Sequence, residues 1–225
     1  MEKLLYYIVT CSYLLLPVAF FLLKNKPKDI VPTTIGIYGV FCFGFLLIFR
    51  DYIPEYLQKY FQVAYTFLEY FFFAFIFWYN IRNKSFKSFM FVASVLFLLF
   101  QVFFITTFSF KRLDSIPIGI ETIFIFIYIF FFFYEFSKNT KDIFIYNHFT
   151  FWVAVGILLY LGGSFFFYML ISNLEESDVS RFGNMTYIAE IIKNLLFAFS
   201  IFMYKKHPVN KTHNHSKNIP NLDMI

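Results

Sequence analysis

The chain has 225 residues, 60% of them hydrophobic and 15% charged, with a mean hydropathy of +0.65. A soluble domain carries about 45–50% apolar residues, so this composition excludes an ordinary water-soluble enzyme or binding domain and makes the bilayer the solvent for much of the chain. The net charge of +5 comes from Lys and Arg spread through loops and tail rather than gathered in one block, which argues against a nucleic-acid partner.

Seven apolar runs follow one another, at about Leu4–Leu23, Val31–Phe49, Phe61–Tyr79, Ser88–Phe108, Ile116–Phe136, Phe149–Ile171 and Met185–Tyr204. A helix crosses ~30 Å of hydrocarbon in about 20 residues, and each run fits a tilted crossing. The expected fold is therefore all-α, a seven-helix transmembrane bundle over residues 1–204 with a polar tail over 205–225. Run one is too long for a signal-peptide core, has no A-x-A-like site and is followed by Lys24, Lys26 and Lys28; it is expected to stay as an anchor. Cys11 and Cys42 lie inside apolar runs and read as small buried hydrophobes.

Lys and Arg counted on alternate sides set the orientation. Six fall on the amino-terminal side (Lys3, Arg50, Lys59, Lys111, Arg112 and Arg181), and twelve on the other. That asymmetry predicts the amino terminus outside and the carboxyl tail in the cytoplasm. The longest outer connection, Ser172–Asn184, is acidic, with Glu175, Glu176 and Asp178. The tail is expected to be disordered. His207, His213 and His215 lie in it without a Cys or acidic companion at a metal-binding spacing, so a basic tail near anionic lipid is expected rather than a metal site. No cofactor is expected. The 39 Phe and 17 Tyr fit a gene rich in A and T better than a dedicated aromatic cage.

The informative residues are the charges inside the runs. Glu69, Glu121 and Glu190 sit in runs three, five and seven, which share one direction and place the three carboxylates at similar depth in the outer half. Gln101 in run four, and Gly162, Gly163 and Ser164 in run six, fall in the same half. Intramembrane ionisable groups face a partner or a water-filled cavity. In run seven, Thr186, Glu190, Lys193 and Phe197 follow one helical face, and Asn194 lies one turn from Glu190. Glu190 and Lys193 at i, i+3 are expected to pair. Two readings stay open: a neutralised pair that pins helix packing, or a ligand or ion site built from Glu69, Gln101, Glu121, Glu190, Lys193 and Asn194. Gly156, Gly162, Gly163 and Ser164 favour close helix contact, and Trp78, Tyr79, Tyr134, Trp152 and Tyr204 fall where an inner aromatic belt belongs.

No nucleophile elbow, HExxH, P-loop, GxGxxG or kinase signature is present, and the four His lie at a membrane boundary or in the tail. Enzymatic activity is therefore not expected, although carboxylates alone can do acid–base work.

The stretch FWVAVGILLYLGGSFFFYML at Phe151–Leu170, followed by IIKNLLFAFSIFMY, resembles the closing helices of small seven-helix membrane proteins of bacteria, including membrane input modules of sensor kinases. The resemblance covers the last two runs, and the rest by helix count. It implies a receptor-like sensory or accessory module of the bacterial inner membrane. Such a module takes a small ligand from the outer side and, having no kinase domain in these residues, passes its signal to a protein partner on the cytoplasmic side. Microbial rhodopsins are similar in helix count and in a Lys of helix seven, here Lys193, but carry an Asp where this chain has Ala189. Small seven-helix transporters with parallel repeats are a third comparison, although their Pro-Gln pairs are absent. A small transporter using intramembrane carboxylates is thus the alternative reading, ahead of a membrane-embedded enzyme or a retinal protein.

Overall fold

In hydrocarbon no water serves the backbone amides, and a helix is the local structure that satisfies them within its own segment. In a computed structural model, which describes residues 2–23, 29–107, 115–139, 145–170 and 176–206, the apolar runs are helices. They are α1 (Glu2–Tyr13), α2 (Leu15–Phe21), α3 (Ile30–Tyr52), α4 (Glu55–Asn80), α5 (Lys84–Thr107), α6 (Ser115–Asn139), α7 (Phe149–Leu170) and α8 (Glu176–Lys206), with a 3-10 turn at Ile145–Asn147 before α7. Among the described residues, seven stretches are long and apolar enough to cross a membrane, from Leu4–Phe21 to Phe182–Tyr204. The chain is an all-α, multi-pass membrane protein. Phe21, Phe91, Phe130 and Phe166 are exposed on its flanks, as residues facing lipid rather than water can be.

The first crossing is broken into α1 and α2 at Leu14. Pro17 has no amide hydrogen to give the Tyr13 carbonyl. The chain turns instead through Leu14 N to Cys11 O at 3.0 Å and resumes with Val18 N to Leu14 O at 3.2 Å. Gly39 of α3 lies against this break. A Cβ there would stand 2.7 Å from Leu16 Cβ, 2.8 Å from the Tyr13 carbonyl oxygen and 2.9 Å from Pro17 Cδ, so a side chain is excluded.

Round the bundle, α1 and α2 pack on α3, α3 on α4, α4 on α5 and α6, α6 on α7, α7 on α8, and α8 back on α1 and α2. The α7–α8 interface is the most extensive, because α7 brings small residues to it. A Cβ on Gly156 would meet the Phe197 ring and Leu196 Cβ at 3.3 Å, and one on Gly163 would meet Ala189 Cβ at 3.2 Å. Gly162 looks instead toward Phe126, at 3.9 Å.

Polar groups hold the helix ends. Asp29 caps α3, its side chain accepting from Val31 N at 3.1 Å, and its own amide donates to the Tyr204 hydroxyl at 3.2 Å. Tyr204 is thus buried and ties α8 to the start of α3 rather than joining a lipid-facing belt, whereas Trp78 and Tyr134 are exposed. At the α4–α5 turn, the buried Glu135 of α6 accepts from Arg82 N at 2.7 Å and Asn83 N at 3.0 Å. A carboxylate at the start of α5 also meets the positive end of the helix dipole. Glu135→Ala strands two amides and is expected to destabilise the protein by about 1–3 kcal/mol. Glu135→Gln keeps one acceptor and should lose less. Unfolding in detergent measures both, and equal stability of all three proteins would remove this role from Glu135.

Two expectations need correction. Cys11, read as a buried hydrophobe, is exposed on the helix surface, whereas Cys42 is buried. The acidic stretch read as an outer connection up to Asn184 is helical from Glu176 onward, as part of α8. Apolarity marks where a helix enters lipid, not where its hydrogen bonding begins, so the composition change at Met185 is not a helix boundary. Lys24–Lys28, Lys111, Arg112, Ser172–Glu175 and the tail beyond Lys206, with its three His, lie outside the described residues.

Candidate functional site

The site is built around Lys193, wholly buried on α8. Its ammonium donates to Glu69 Oε1 of α4 at 3.0 Å, to the Tyr38 hydroxyl of α3 at 2.6 Å and to the Tyr13 hydroxyl at the end of α1 at 3.3 Å. Three N–H donors thus meet three oxygens. The Tyr160 ring of α7 lies 3.9 Å from Nζ, close enough for a cation–π contact. Glu69 is equally well supplied. Tyr38 donates to its Oε1 at 2.6 Å and Tyr160 to its Oε2 at 2.9 Å. A buried ion pair holds only when its remaining donors and acceptors are satisfied in this way.

Glu190, one turn nearer the start of α8, is not the partner of Lys193. The ion pair found among the described residues is Lys193–Glu69. Glu190 Oε1 accepts from the Tyr13 hydroxyl through a short hydrogen bond and from Tyr65 at 3.5 Å. Tyr13 and Tyr65 are themselves 3.0 Å apart, hydroxyl to hydroxyl. The physical reason is rotation. Residues three apart on a helix differ by about 60° in direction, so Lys193 enters the centre of the bundle while Glu190 stays half-buried at its rim.

The other expected members are dispersed. Asn194 is buried beside Lys193, and its Nδ2 donates to Ser12 Oγ of α1 at 2.7 Å. Gln101 of α5 and Glu121 of α6 are buried but outside this hydrogen-bonded network. Both polar atoms of Gln101, and Oε1 of Glu121, have no hydrogen-bond partner among the described residues. Glu121 is still within electrostatic reach of Glu69 and Lys193. Three of the six expected residues (Glu69, Glu190 and Lys193) therefore belong to one hydrogen-bonded network, and Asn194, next to Lys193 in sequence, holds a separate bond to Ser12. The structure adds Tyr13, Tyr38, Tyr65, Tyr160 and Ser12, none of which stood out in a chain with 17 Tyr. The one available signal was Tyr13, four residues before Pro17, at the place where a helix must break.

Local folding aims these groups. The break after Tyr13 and the bare backbone of Gly39 bring α1 and α3 close enough for Tyr13 and Tyr38 to pack edge to face, ring centroids 5.9 Å apart. On α4, Tyr65 and Glu69 are one turn apart and share a face. The result is a continuous hydrogen-bonded path from the half-buried Glu190 and Tyr65, through Tyr13, to Lys193 and Glu69. It can pass a proton along hydroxyls, or pass on a disturbance at Glu190 by changing what Tyr13 and Lys193 hold. The described residues contain no group of three or more His, Cys, Asp or Glu arranged to bind a metal.

No family model, curated protein or solved structure matches this chain.

Proposed function

We propose that this protein is a receptor-like sensory or accessory module of the bacterial inner membrane, with its amino terminus outside and its carboxyl tail in the cytoplasm. It takes a small ligand from the outer side at Glu190 and signals through a protein partner on the cytoplasmic side. The observation that carries this reading is the path from Glu190 through Tyr13 to the Lys193–Glu69 pair, whose members come from α1, α3, α4, α7 and α8. A polar ligand that competes for Tyr13 changes the surroundings of Lys193, and any shift of Lys193 is felt by all five helices. A ligand shifts an equilibrium only by its differential affinity for the two states, and the shared Tyr13 hydroxyl supplies that difference.

Thiol labelling tests the access this requires. In a chain carrying Cys11→Ser and Cys42→Ala, Glu190→Cys in intact cells is expected to react with a membrane-impermeant reagent, as is Tyr52→Cys at the exposed end of α3. The enclosed Glu69→Cys should not react. Labelling at position 52 without labelling at 190 would remove the outward route. No labelling at 52 would reverse the proposed orientation, which a cytoplasm-only fluorescent reporter fused after Ile225 checks independently.

The unpartnered atoms of Gln101 and Glu121 favour a second reading, a small transporter using intramembrane carboxylates. Proteoliposomes holding a pH-sensitive dye separate the two. The receptor reading expects no proton uptake, and uptake abolished by Glu190→Gln would establish transport instead.

A further inference from the structure

Away from the polar network, α4 and α5 enclose a cavity of about 350 Å³. Its floor is Tyr70, Ala74 and Met90, all buried, and its flanks, including Phe71 and Phe91, are exposed on the membrane-facing surface. The lining offers a ligand almost nothing polar. The Ser94 hydroxyl is engaged with the Met90 carbonyl at 2.7 Å and the Tyr70 hydroxyl at 2.8 Å, and Tyr70 also meets Tyr128 at 2.8 Å. The groove therefore suits hydrocarbon. It runs along α4 from Phe67 to Trp78, roughly 16 Å at 1.5 Å per residue, about half of a ~30 Å hydrocarbon core and so the depth of one leaflet.

One end of the groove is chemically different. Lys87 Nζ stands 4.5 Å above the Trp78 ring at the end nearest the α4–α5 turn, and Arg82 and Lys84 are exposed on that turn. None of these three cations is ion-paired among the described residues. The nearby carboxylate of Glu135 is occupied by the amides of Arg82 and Asn83. An apolar channel one leaflet deep, ending at an interfacial Trp and an unpaired Lys, has the shape and charge of a phospholipid with a negative headgroup.

We propose that the α4–α5 groove is a binding site for an anionic phospholipid, with one acyl chain between Phe67 and Trp78 and the headgroup phosphate on Lys87. This assignment is independent of the function proposed for the polar network. Trp78 lines the groove and is its natural reporter, and Trp152→Phe leaves it the sole Trp of the chain. That variant is reconstituted in phosphatidylcholine vesicles containing a small, equal fraction of dibrominated phosphatidylglycerol or dibrominated phosphatidylcholine. Bromine quenches Trp fluorescence on contact, so quenching reads occupancy of the groove. Phosphatidylglycerol is expected to be preferred about fivefold, the attraction of one Lys for an anionic headgroup. Lys87→Gln, a change outside the core, should bring the two lipids level, and Ala74→Leu should abolish the preference by filling the floor. Equal quenching by the two lipids in the Trp152→Phe protein would overturn the proposal, as would a preference that survives Lys87→Gln.

Discussion

Lys193→Met is expected to destabilise the protein by about 3–5 kcal/mol, because it leaves Glu69 buried without its cation. Glu69 is 4% exposed, so its carboxylate depends on the protein groups around it. The informative measurement is which second change relieves the loss. Glu69→Gln combined with Lys193→Met removes both charges and keeps one amide oxygen as acceptor for Tyr38 or Tyr160, so it should recover part of the stability. Glu190→Gln combined with Lys193→Met should recover little, since Glu190 is held by Tyr13 and Tyr65. Thermal unfolding of both double-mutant cycles in detergent gives the two coupling energies directly. If Glu190→Gln rescues and Glu69→Gln does not, the ion pair has been assigned to the wrong carboxylate.

A comparable effect is expected at a position that carries no charge of its own. Gly39→Ala places a methyl within 3 Å of two side chains and of the Tyr13 carbonyl oxygen, and the carbonyl cannot rotate away as a side-chain tip can. Overpacking of this kind costs about 1–3 kcal/mol, occasionally more. Relief requires α3 to separate from α1 and α2, which also draws Tyr38 away from Tyr13. Gly44→Ala on the same helix is the control, since nothing lies within 4 Å of a Cβ there. It should be neutral or slightly stabilising. Equal stability of the two variants would show that the close approach at Gly39 is not maintained in the folded protein.

The number of membrane-crossing stretches was legible in the sequence because the bilayer demands long apolar runs and charges interrupt them, whereas the break of the first into α1 and α2 left no mark in that pattern. The polar residues of the site were legible for the same reason, since a Lys or Glu inside hydrocarbon stands out at once. Their pairing was not. Glu190 is close to Lys193 along the chain, but the ion pair depends on α4 delivering Glu69 from a distant part of the sequence, and hydropathy carries no information about which helices meet. The tyrosines were hidden for a different reason. A Tyr in an apolar run is unremarkable in a chain so rich in aromatics, and only the fold distinguishes Tyr13, Tyr38 and Tyr160, which serve the ion pair, from Tyr134, which lies exposed on the flank. Gly39 had the same problem. Its bare backbone matters only because Pro17 breaks the helix opposite, and that helix–helix relation is absent from the local pattern.

The two ends of the ion pair are also separated in time. Glu69 and Lys193 lie 124 residues apart, and at about 5–20 residues per second a ribosome needs roughly 6–25 s to make the chain between them. Through that interval Glu69 has Tyr38 of α3 within reach but lacks its cation, and an unpaired charge inside the membrane is costly. Arrival of α8 ends the penalty, so the pair doubles as a mark of completed synthesis. Chains stalled before α8 are expected to remain at the insertion machinery or be degraded, and a half-made protein should not accumulate in the membrane.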